Sequence, residues 1–113
     1  MEKSIYDAPS DGIYFNGAFQ EFMRRFKGAT RITWSNHEVD GLFQDYYHIE
    51  PNGVTLSWIA RRVEQTWQTK VTLYGDEKQI QEVERKITEG SEKIQSAERE
   101  IATAKRSLEE LTV

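Results

Sequence analysis

"VTLSWIARRVEQTWQTKVTLYG", residues 54–75, carries two periodicities at once, and the fold depends on which one the chain obeys. Leu56, Ile59, Ala60, Val63 and Trp67 fall on one face of a helix, whereas Val54, Leu56, Trp58 and Ala60 alternate as in a strand. Ala, Arg, Glu and Gln in the middle of the stretch are helix formers, so a helix from about Thr55 to Gln68 is expected. The competing strand would be closed into a hairpin by Pro51-Asn52-Gly53. "TKVTLYG", residues 69–75, then reads as a strand with Val71 and Leu73 inward.

Upstream, "NGAFQEFMRRFKG" places Phe19, Phe22, Met23 and Phe26 on one helical face, with Asn16 as cap and Gly28 as stop. "TRITWSNHEVDGLFQDYYHIE" follows, and Asp40-Gly41 is the signature of a two-residue hairpin turn. Counting outward from Val39 and Leu42 sets Trp34 opposite Tyr47, Ile32 opposite Ile49 and Arg31 opposite Glu50, with apolar pairs on one face and the ion pair on the other. That register also holds His37 and His48 apart, against a metal site. Residues 1–15 show no clear period and read as a flexible lead-in. The expected head, residues 16–75, is a two-layer α+β domain of helix, hairpin, helix and strand.

Composition changes at Gly75. All 3 Trp, 5 Tyr, 5 Phe and 2 His precede it, and the tail, residues 76–113, is rich in Glu, Lys, Arg, Gln, Ser, Ala and Ile. Asp76 can cap a long helix there. Ile80, Ile87, Ile94, Ile101 and Leu108 repeat at heptad spacing, and Val83, Gly90, Ala97, Ala104 and Leu111 take the second core position. So narrow a stripe is the pattern of a coiled-coil seam, which points to a homodimer or higher homo-oligomer. Two other arrangements stay open: the stripe folded back on its own head, or another protein's helix in the seam.

The net charge of -4 gives no general attraction to duplex nucleic acid or to an anionic membrane. Cysteine is absent, which removes disulfide and thiol chemistry and fits a reducing, cytoplasmic setting. No stretch has the length of a membrane span or the apolar core of a signal peptide. No glycine-rich phosphate loop and no nucleophile-base spacing with a mechanism attached is present, so neither an enzyme nor a cofactor is expected. On the helical alternative for 55–68, Trp58, Arg61, Arg62 and Gln65 lie away from the apolar stripe and form a Trp-Arg patch; on the strand alternative Trp58 is core. Trp and Arg are the residues most enriched at binding hot spots. The expected function is therefore a non-enzymatic oligomeric protein that binds another protein through its head, inhibiting or scaffolding it. The alternative is a protein that binds an anionic small molecule, a nucleotide or single-stranded nucleic acid on the same patch.

Overall fold

The computed structural model describes residues 1–37 and 41–92, with the backbone alone for 34–37. Residues 54–75 follow the period of two, not 3.6. β4 runs over Val54–Val63 and β5 over Thr66–Tyr74, joined at Glu64 and Gln65. The alternating set decides it: Val54, Leu56, Trp58 and Ala60 are all buried, whereas Val63, which the helix would have buried, is 45 % exposed. The helix propensity of Ala60, Arg61 and Arg62 is a weak preference, and burial of a whole strand face overrides it.

The sheet has five antiparallel strands in the order β1-β5-β4-β3-β2, with β1 over Glu2–Pro9, β2 over Ala29–His37 and β3 over Leu42–Ile49. The lead-in is thus a strand, for Glu2 pairs with Tyr74 and Pro9 with Gln68 along β5. A 3₁₀ turn, Gly12–Tyr14, leads into α1 over Asn16–Arg25. A second helix, α2, covers 77–92. Asp76 caps it by accepting the Lys78 backbone N–H at 3.1 Å, as expected for an aspartate before a first turn.

Both helices pack on one face of the sheet. Phe19, Phe22 and Met23 of α1 and Ile80, Val83 and Ile87 of α2 join Tyr47, Ile49, Leu56, Trp58, Val71 and Leu73 in a single core. The head is therefore a five-stranded sheet under two helices, not helix, hairpin, helix and strand followed by a long coiled-coil helix. The first half of the supposed seam is intramolecular: Ile80, Val83 and Ile87 are 1 %, 0 % and 3 % exposed against the chain's own sheet. Gly90 belongs to the same contact, because a Cβ there would lie 3.2 Å from the Phe22 ring. Ile94, Ala97, Ile101, Ala104, Leu108 and Leu111 lie outside the described residues.

The β2–β3 hairpin forms with a register different from the one counted outward from Asp40-Gly41. His37 pairs with Leu42, and a bulge between Arg31 and Thr33 sets Arg31 opposite Tyr47 and Ala29 opposite Ile49. A bulge adds one residue to one strand, which moves every residue beyond it to the other face. Arg31 thereby reaches the helix side, and Ile32, expected inward, is 57 % exposed.

Candidate functional site

The expected patch does not assemble. Trp58 is 1 % exposed, stacked on Phe19 at 5.2 Å, and its Nε1 donates to the Tyr14 carbonyl at 3.2 Å. Arg61 leaves the opposite face of β4 and pairs with Leu42, Arg62 lies four residues along the strand from Trp58, roughly 13 Å away, and Gln65 sits at the hairpin tip. A helix would have set Trp58 and Arg62 one turn apart, and a strand separates them.

The strand does build a different Trp-Arg juxtaposition. Arg62 and Trp67 are cross-strand partners in β4 and β5, so both side chains leave the helix side of the sheet. One row inward, Ala60 pairs with Phe43. Ala60 is too small to separate its neighbours, and the Phe43 and Trp67 rings meet across it with centroids 4.9 Å apart, tilted by 55°. Neither ring is fully covered. The reason is the length of the helix layer. The Trp58–Tyr14 bond pins the start of α1 above Trp58, while β4 and β5 continue to Val63 and Thr66, so the sheet outruns its cover.

The uncovered end is concave. A cavity of about 280 Å³ lies between the start of α1 and the Phe43–Trp67 pair, floored by Trp58 and Ala60 and flanked by Phe15 and Gly17. Phe15 is 54 % exposed, and a Cβ at Gly17 would meet nothing within 4 Å, so the mouth is open on that side. The polar groups on its wall are Ser10 and Asn16. Ser10 is occupied, for its hydroxyl is hydrogen-bonded to that of Thr69 and its backbone N–H donates to the Trp67 carbonyl at 2.8 Å. Asn16 is the first residue of α1 and not its cap; that place falls to Phe15, whose side chain accepts no bond from the helix. Among the described residues no ionisable side chain lines the cavity. Asn16 Oδ1 is buried and has no hydrogen-bond partner among the described residues, so the notch is aromatic with one open acceptor, suited to a ring or a branched aliphatic group.

A larger groove, about 890 Å³, opens between the end of α1 and α2, over Phe22, Phe26, Gly28 and Gly90. Its rim charges are of both signs and mostly engaged: Arg25 with Glu21 at 2.9 Å, Glu89 with Arg85 at 2.6 Å, and Glu50 with His48. Lys86 donates to Asn52 at 3.2 Å. Lys27 also lines the groove, and neither it nor Lys86 makes an ion pair among the described residues.

Among the described residues Asp45 is the most deeply buried charged group, 3 % exposed, with one carboxylate oxygen lacking a hydrogen bond. Burial pushes its carboxyl above the ordinary carboxylate value, opposed by a hydrogen bond from Gln20 and the nearby Arg31 guanidinium. It faces the core under α1 and does not line the notch. Among the described residues there is no cluster of metal-ligating side chains, and no helix is long and apolar enough to cross a membrane.

Phe43, Trp67 and Phe15 were not singled out by sequence. The signal that points to two of them is the alternation of 54–63 taken with its two flanking turns: the one at Glu64-Gln65 places Trp67 beside Arg62, and the one around Pro51-Asn52-Gly53 places Phe43 beside Ala60. No protein-family model, curated protein or solved structure matches the chain.

Proposed function

We propose that the protein is a binding module that acts by occupancy, its notch taking one large apolar or aromatic side chain from a partner protein and the head thereby inhibiting or scaffolding that partner, in the cytoplasm. The observation that carries this reading is the convergence of Phe15, Phe43 and Trp67 on a concave opening. Singly exposed apolar residues are ordinary on a protein surface, but three incompletely covered rings around one cavity keep apolar area in water that folding alone would hide. Size favours a side chain over a cofactor. About 280 Å³ falls just below the ~300–1,000 Å³ range of small-molecule pockets. Rigid aromatic walls also fit the pattern of interface hot spots, where a few desolvated rings supply most of the binding energy.

Selection of peptides from a random display library on the immobilised chain tests this. The selected peptides are expected to share one large apolar or aromatic residue, and Trp67→Ala is expected to weaken them about thirty-fold, the loss of roughly 2 kcal/mol typical of a hot spot. Peptides that bind the Trp67→Ala chain as well as the parent refute the proposal.

A further inference from the structure

We infer that the partner's anchoring residue carries a carboxylate beside it, so that the notch recognises an acidic-aromatic segment. This rests on the notch being the binding site and adds the charge of what enters it. The carrying feature is Arg62. Its cross-strand pairing with Trp67 sets its side chain on the same face as that ring, which walls the cavity, although Arg62 itself is not part of the lining. Its position is held by its backbone: the Arg62 N–H donates to the Gly41 carbonyl at 2.8 Å, and a Cβ on Gly41 would lie 3.1 Å from the Arg62 Cβ, so strand and turn are in close contact there.

The side chain is exposed and makes no ion pair among the described residues. That distinguishes it from the arginines on the helices, since Arg24, Arg25 and Arg85 all bind glutamates of their own helix. Arg61 points to the other face, and Asp11, the acidic residue just before the 3₁₀ turn, already accepts the Tyr6 hydroxyl at 3.0 Å. Among the described residues the notch wall carries apolar rings and no ionisable side chain, and a cation stands beside its Trp67. α1 opens on the same cavity with no acidic residue in its first turn, so its dipole adds potential of the same sign. A ring in the cavity with a neighbouring carboxylate satisfies both features at once. A neutral neighbour leaves the guanidinium solvated, and a cationic one opposes it.

Three probes share one indole and differ in charge: N-acetyltryptophan is an anion, N-acetyltryptophanamide is neutral and tryptophanamide is a cation. Each is titrated into the full-length ¹⁵N-labelled protein, following the Trp67 indole N–H and the Gly17 amide. All three are expected to shift both signals. The anion is expected to bind about three-fold more tightly than the neutral probe, the size of one solvent-exposed ion pair, and the cation least tightly. The advantage should vanish near 1 M salt, where the screening length is about 3 Å. Arg62→Gln is expected to abolish the difference between anion and neutral probe while leaving the neutral probe's affinity unchanged. If the neutral probe shifts Trp67 and Gly17 but the anion binds no more tightly, the acidic preference is wrong and the notch stands. If no probe shifts either signal, the notch itself is wrong and the preference falls with it.

Discussion

Replacing Trp58 by Ala should collapse the stability of the domain. Trp58 is 1 % exposed, its ring lies 5.2 Å from Phe19 at an interplanar angle of 12°, and its indole N–H holds the Tyr14 carbonyl at 3.2 Å. Truncation of a buried Trp costs about 3–5 kcal/mol, and an orphaned carbonyl adds about 1 kcal/mol where water cannot reach it. At roughly 4–8 °C per kcal/mol for a domain of this size, a fall in Tm of about 15 °C or more follows. Thermal melts followed by far-ultraviolet circular dichroism measure it. Trp58→Phe separates the two contributions, since it keeps a ring against Phe19 and loses the hydrogen bond, and should fall about a third as far. Trp67→Ala is the contrast, because that ring is only partly covered and its loss should move the melt much less. A fall below about 5 °C for Trp58→Ala would place the ring at the surface and refute the strand assignment of residues 54–63.

Three further substitutions probe other parts of the structure. Ile87→Ala should cost about 2–5 kcal/mol in urea unfolding, by the same amount at low and high protein concentration, because Ile87 packs on its own sheet; a concentration-dependent loss would restore an intermolecular seam. Asp45→Asn should stabilise the chain more at pH 7 than near pH 4. With the folded carboxyl raised above its unfolded value, the parent's penalty is present at neutral pH and is relieved as falling pH protonates the folded state first, and a pH-independent difference would contradict this. Gly28→Ala should lower the unfolding free energy measured in urea by more than about 2 kcal/mol, because Gly28 has φ of +90° and a Cβ would come within 2.0 Å of the Glu50 carbonyl oxygen; unchanged protection of the Glu50 amide from hydrogen exchange would argue otherwise.

Local chemistry was legible where one principle governs alone. The apolar face of α1, the Asp76 cap and the inward pair Val71 and Leu73 all follow from residue spacing. The choice at 54–63 was not, because the same letters satisfy both periods and only the neighbouring strands decide between them. Pro51-Asn52-Gly53 held the better clue: a turn there makes β3 and β4 a hairpin, with Ile49 opposite Val54. The heptad stripe misled for a different reason. A seam of two apolar positions per heptad is also what a helix presents when it lies along a sheet already filled by another helix, and α1 supplies the remaining contacts. The bulge at Ile32 has no signature in the residues around it. The notch was unreadable for the same cause as the patch, since both depend on which side of β4 Arg62 takes.

The pairing of β1 with β5 sets a constraint on synthesis. β2, β3, β4 and β5 are sequential neighbours and can zip together as each emerges from the ribosome. β1, made before them, cannot: the partner of its Glu2, Tyr74, is among the last residues of the sheet to appear, and the Met1 carbonyl waits for the Gly75 amide. The lid residues Ile80, Val83 and Ile87 come later still. Until then the inner sides of β3, β4 and β5 have only α1 over them, so the nascent chain carries an open half-core between the emergence of β3 and that of α2. Long-range closure of this kind is slow and exposes apolar strands to other chains. Arrest of translation before Ile87 should therefore leave a species that chaperones hold, whereas release after it should yield the folded head in one step.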